Sequence, residues 1–221
     1  MNPHFTSNRR FLIGIDEAGR GPVLGPMIVA MVIVEKSNIR DLVRTGVKDS
    51  KCFGSNPFAH SKRCSIARNI RKISKKVSTV TVSPESIDKS GITHAEIAAI
   101  ARLLKRIPPS IAGTVFIDAQ GMMSRRVFLR HLREYLGGVL HFPLVYEPHC
   151  DSNYPVVSAA SIVAKIRRDK TLWKLLGRTD VSGYPNAITA HFIKQYFEKH
   201  SQLPLCVRKT WQWPPLQQFL D

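Results

Sequence analysis

The sequence predicts a layered α/β domain, and three observations carry that expectation. Apolar runs rich in Ile and Val, Phe11 to Ile15 and Met27 to Val34, stand near its beginning. Strand and helix patterns then alternate along the remainder. The scarce acids, 16 against 33 Lys plus Arg, include three at the ends of apolar strands. With 221 residues and 43% apolar content the chain can build one core with a small appendage.

The two opening strands are joined by the turn-forming segment Ala18 to Pro26, and Asp16-Glu17 stands at the exit of the first. In the second half of the stretch Asn56 to Ser74, Ile66, Ile70, Ile73 and Val77 recur at helical spacing. Val77 to Val82 reads as a third strand. Ser83-Pro84 has the form of a cap followed by proline at the first helical position. Thr93-His-Ala-Glu96 reads as a capping box opening a helix that Pro108-Pro109 stops. Thr114 to Ile117 is a short strand ending at Asp118, Ser124 to Leu136 a helix, and Leu140 to Tyr146 a strand. A long helix is expected from Pro155 to about Leu176; its small face, Val156, Ala159, Ala160 and Val163, permits close packing on a sheet. Asn186 to His200 is a further helix. The expected division is residues 1–176 as the catalytic domain and 177–221 as a C-terminal helical segment continuous with it.

A formal net charge of +17 favours a polyanionic partner, because phosphates neutralised by Lys and Arg release counterions. Met1 to Arg10 lacks the charged-then-apolar order of a signal peptide, and the longest apolar run, Pro22 to Val34, is too short for a bilayer. A cytoplasmic protein without membrane attachment is expected. Cys52, Cys64, Cys150 and Cys206 are scattered, which indicates neither a zinc site nor a disulfide framework. Acids gathered at one sheet edge repel unless a cation or proton compensates them, and Mg²⁺ suits a few carboxylates. Spacing alone leaves Asp16, Glu17 and Asp118 open to reading as loop acids, and Asp151 as a helix-cap residue.

The segment Gly14-Ile-Asp-Glu-Ala-Gly-Arg-Gly-Pro-Val-Leu-Gly-Pro26 resembles the signature of the ribonuclease HII family, type 2 ribonuclease H. Asp49-Ser-Lys51, Ile117-Asp118, Asp151 with Tyr154-Pro-Val-Val-Ser-Ala-Ala-Ser-Ile-Val-Ala-Lys165, Gly183-Tyr-Pro185 and Val207-Arg-Lys-Thr-Trp211 agree in order, most closely with the archaeal branch. The resemblance implies an RNase H-like five-stranded mixed sheet flanked by helices, with a helical C-terminal part that grips substrate. It implies Asp16, Glu17, Asp118 and Asp151 as catalytic acids binding Mg²⁺ or Mn²⁺. The implied reaction is two-metal-ion hydrolysis of the RNA strand of RNA–DNA hybrids, and incision 5′ of single ribonucleotides in duplex DNA, leaving 3′-hydroxyl and 5′-phosphate.

Gly19, Arg20 and Gly21 would read the 2′-hydroxyl through the backbone, and Tyr184 would pack on the sugar of the next nucleotide. Lys51 and Lys165, and in a second tier Arg208 and Lys209, would contact phosphates. Between Asp49 and Glu85 there are eight Lys or Arg and no acid, a phosphate-tracking face or a solvated one. Cys52 and Pro148-His-Cys150 depart from the family's usual lysines. A ribonuclease HIII-like enzyme is the nearer alternative, against which Arg20 and the short leader speak; a non-catalytic hybrid-binding module is the other. A monomer is expected. Sliding-clamp binding stays open, but Gln217-Gln-Phe-Leu220 lacks the full spacing of a clamp box and is read as a frayed end.

Overall fold

The computed structural model describes residues 9–47, 57–119 and 123–220. Five strands form one mixed sheet: β1 (Phe11–Ala18), β2 (Met27–Glu35), β3 (Lys76–Val82), β4 (Gly113–Asp118) and β5 (Leu144–Glu147). Their order is β3-β2-β1-β4-β5. β2 is antiparallel to both β1 and β3, while β4 runs parallel to both β1 and β5. The five-stranded mixed sheet flanked by helices matches the expected fold.

Nine α-helices among the described residues complete the domain: α1 (Ile39–Arg44), α2 (Pro57–Ile73), α3 (Pro84–Ser90), α4 (Ile92–Leu104), α5 (Arg125–Leu136), α6 (Cys150–Asn153), α7 (Pro155–Leu176), α8 (Ala187–His200) and α9 (Pro214–Gln217). Side-chain alternation along each strand separates two cores. Ile13, Ile15, Val115 and Ile117 join the core under α3, α4 and α5. Leu12, Phe116 and the small face of α7 build the other, with α1 and α2. All of Val156, Ala159, Ala160 and Val163 are buried, as their size predicts. A third cluster joins Val23 and Leu24 to Leu172, Val181, Ile193, Cys206, Val207 and Leu216, and so ties residues after α7 to the loop after β1.

Three expectations are corrected. β1 continues through Asp16, Glu17 and Ala18, because these residues still pair with Ala30, Val29 and Ile28 of β2. The acids therefore sit within the last rungs of the strand, not after it. The Thr93–Glu96 pair caps nothing: α4 begins at Ile92 with Gly91 in the cap position, two residues before Thr93, and both side chains bond elsewhere. The tail is packed, not frayed: Leu216 is fully buried and the Phe219 ring lies 4.8 Å from that of Phe197. Asp49, Ser50, Lys51 and Cys52 lie outside the described residues.

Candidate active site

The parallel register of β1 and β4, which pairs Ile15 with Ile117, sets Asp16 and Asp118 on neighbouring strands at the next rung. Adjacent strands lie about 4.8 Å apart, so two carboxylates share one sheet edge. Ser161 of α7 hydrogen-bonds Asp16, the Asp16 and Glu17 carboxyls share a hydrogen bond, and the Glu17 charge acts on Glu96 of α4. Asp16 Oδ1 also accepts the Glu17 backbone N–H at 2.8 Å. Asp118 Oδ1 accepts the N–H of Cys150 at 2.8 Å, which fixes α6 against the end of β4. That contact brings Asp151, 5% exposed, into the same region. His149 makes the bend before α6 with φ of 62°, a left-handed conformation uncommon for a residue with a Cβ. The departure Pro148-His-Cys150 thus coincides with a tight backbone reversal.

Burial is the largest cause of the raised Asp16 carboxyl, followed by repulsion from Glu17. Glu17 is raised first by burial, with Asp118 adding to it. A carboxyl raised in the folded state holds its proton more tightly there than in the unfolded chain. Its contribution to stability therefore falls as pH climbs from the ordinary carboxylate range through the raised value. Asp16→Asn should consequently raise the melting temperature of the metal-free protein at pH 7. Roughly 1–2 kcal/mol of relieved repulsion corresponds to about 2–8 °C. Calorimetry in chelator at pH 7 checks this, and a lowered melting temperature would contradict the repulsion.

A fifth carboxylate belongs to this edge. Arg20 turns inward, its Nη1 to Glu96 and its Nη2 to Thr93 Oγ1 at 2.9 Å. The Glu96 carboxyl is pushed up to about 8, first by burial and then by the Glu17 charge. The same two residues that read as a capping box are the anchor of Arg20. The signal that could reveal this, an acid deep in an apolar helix face, was available but has a bland local explanation.

The chemistry of this donor set fits a hard divalent cation, because Asp16, Glu17 and Asp118 offer only carboxylate oxygens and repel one another. Among the described residues, no three His, Cys, Asp or Glu side chains stand close enough to grip an ion as they lie.

Of the remaining expected residues, Gly19, Gly21 and Tyr184 come together. A Cβ added to Gly21 would lie 3.4 Å from the Tyr184 ring, whose residue is 44% exposed. Gly19 has φ of 96° and backs onto the Arg168 side chain and the Pro26 carbonyl. Arg208 is reassigned: it is 0% exposed and its guanidinium bonds the carbonyls of Gly19, Arg20 and Gly25, so it does not face a duplex. The Lys165 ammonium is held by both oxygens of Asp169, at 2.6 and 2.8 Å. Lys209 is exposed, and its N–H bonds Asp88. In the basic stretch before Glu85, Arg63 is 2% exposed and belongs to neither a solvated nor a phosphate-tracking face. Arg168, also missed, is buried; its Nη2 donates to the Ser182 carbonyl at 2.7 Å beneath the Tyr184 ring.

No helix among the described residues is long and apolar enough to cross a membrane. Residues 13–213 match the family model described as Ribonuclease HII. The ribonuclease HII of Methanocella arvoryzae is 35% identical over 210 residues, covering 91% of this chain and 88% of that protein. The crystal structure of the ribonuclease H2 from Pyrococcus horikoshii superposes with a TM-score of 0.80 at 28% identity, covering 95% of this chain and 97% of that one. The ribonuclease HII of Archaeoglobus fulgidus, solved in complex with PCNA, superposes with a TM-score of 0.74 at 31% identity, covering 91% and 95%. The match runs from β1 with its acid pair to the segment that bonds the glycine loop, and by that extent the chain is a member of the ribonuclease HII family of hydrolases.

Proposed function

We propose that this enzyme cleaves the RNA strand of RNA–DNA hybrids and incises duplex DNA on the 5′ side of a single ribonucleotide, with Asp16, Glu17, Asp118 and Asp151 as its metal-binding acids. The observation that carries the reading is the place of the Tyr184 ring beside Gly21, where an added Cβ would lie 3.4 Å from it, four residues along the chain from Glu17. Its short distance along the chain from Glu17 supports setting the groups that read the sugar next to those that carry the chemistry.

A divalent ion held by these carboxylates would supply Lewis-acid stabilisation of the phosphate oxygens and a bound water of lowered pKa. The chain's own part is positional. Ser161 and the Glu17 N–H orient Asp16, and the Cys150 N–H orients Asp118. The Arg20–Glu96 pair braces the loop from the α4 side. Backbone donors of the glycine loop face the ribose and its phosphate, and the exposed Tyr184 ring packs on the following sugar. Residues 177–221 serve as the gripping segment.

The leaving 3′-oxygen and the 5′-phosphate product follow from attack at phosphorus from the side opposite that oxygen. The test is incubation with Mg²⁺ or Mn²⁺ and a DNA duplex holding one ribonucleotide. A single nick 5′ of that residue, with 3′-hydroxyl and 5′-phosphate ends, is expected; an intact duplex at every metal concentration would sink the reading. Leu216 and Phe219 are engaged against the chain's own residues.

A further inference from the structure

Side chains of residues 206–211 bond the carbonyls of Gly19, Arg20, Gly21 and Gly25 in the glycine loop, residues 19–25. Arg208 Nη2 donates to Gly19, its Nη1 to Arg20 at 3.0 Å and its Nε to Gly25 at 3.0 Å. Trp211 Nε1 donates to the Gly21 carbonyl at 3.2 Å, and the Arg208 guanidinium lies 4.9 Å from the Trp211 ring. Backbone bonds join the same segments: the Gly25 N–H donates to Cys206 at 2.8 Å, and the Arg208 N–H to Val23 at 2.9 Å.

A trans peptide holds a C=O and the following N–H antiparallel. Turning the Gly19 and Arg20 carbonyls onto Arg208 therefore turns the N–H groups of Arg20 and Gly21 to the opposite side. Neither donates a hydrogen bond within the described residues. Pro22 has no N–H, so the loop presents these two donors beside the exposed Gly21. Among the described residues no carboxylate bonds Arg208, which leaves a buried positive charge behind the loop. Hydrogen bonds in series polarise one another, so a cation on the carbonyl side strengthens the N–H donors on the other.

We infer that Arg208, with Trp211, is a positioning residue that sets the glycine loop to discriminate ribose from deoxyribose. The inference rests on the proposed reading of the 2′-hydroxyl by this loop. It assigns Arg208 no contact with nucleic acid. The role depends on the forked guanidinium, since a lysine ammonium in the same space keeps the charge but cannot span three carbonyls.

The experiment compares two DNA duplexes identical except for one ribonucleotide, without divalent ion so that neither is cut. Wild type should bind the ribonucleotide duplex about tenfold more tightly, the worth of one or two hydrogen bonds. Arg208→Lys should bring that ratio to about one while leaving affinity for the all-DNA duplex unchanged, because the charge is kept. A general folding defect would lower both affinities together. Trp211→Phe, which removes only the bond to Gly21, should reduce the ratio by about threefold. An unchanged ratio in folded Arg208→Lys overturns the inference; if that variant does not fold, an unchanged ratio in Trp211→Phe overturns it. A wild type that binds both duplexes equally overturns the hydroxyl-reading role itself, and the positioning role of Arg208 with it.

Discussion

Asp118→Asn is expected to lose at least about a thousandfold in incision rate while binding substrate as well as wild type. A carboxylate that helps hold a divalent ion contributes several kcal/mol of transition-state stabilisation, and about 4 kcal/mol corresponds to that factor. The amide keeps the oxygen that accepts the Cys150 N–H, so the junction of β4 with α6 should persist. It also removes a charge that raises both Glu17 and Glu96. The variant's metal-free melting temperature should therefore equal or exceed that of wild type. Single-turnover incision, anisotropy binding and calorimetry separate the three effects. Retained activity would remove Asp118 from the metal-binding set, and a melting temperature lower by more than about 5 °C would give the residue a mainly structural role.

Gly14→Ala should be the most damaging small substitution in the sheet. A methyl group there would lie 2.2 Å from the Val156 carbonyl oxygen and 2.6 Å from the Val157 nitrogen, both backbone atoms of α7. Neither can swing aside as a side chain would, so β1 and the start of α7 must separate. A cost of at least about 3 kcal/mol follows, or a melting temperature lower by roughly 6–12 °C. Gly138→Ala is the control, because a Cβ at that position meets nothing within 4 Å. Equal melting temperatures for the two variants would show that α7 can shift without cost. The displacement matters for chemistry too, since Ser161, which orients Asp16, rides on the same helix.

Both expectations rest on features that differ in how plainly they are written in the sequence. The Ile- and Val-rich runs of β1 and β2 and the small face of α7 are legible, because strand alternation and close packing leave local patterns. The reach of β1 through Ala18 is not legible: polar residues after an apolar run ordinarily mark a strand's exit, and only pairing with Val29 and Ile28 carries the strand on. Asp16 and Glu17 announce themselves as adjacent acids in an acid-poor chain. The place of Glu96 is hidden, since Thr93 and Glu96 have the spacing of a cap and their partner Arg20 lies 76 residues away from Glu96. Arg208 is hidden for another reason. In a chain carrying 33 Lys and Arg, nothing local distinguishes Arg208, at 0% exposure, from those that face water. The short helices α6 and α9 also escape notice, being too brief for periodicity to register.

The contact between Gly19 and Arg208 joins residues 189 apart in the chain. A growing polypeptide on the ribosome has synthesised β1, β2 and β4, with three of the acids, long before it has made residues 206–211. On the reading proposed above, the cutting edge is then complete in its strands while the loop meant to recognise ribose still lacks its brace. Selectivity, on that same reading, is the last property the nascent chain acquires, and a ribosome that stalls before Arg208 would leave behind carboxylates without the brace proposed to set the loop.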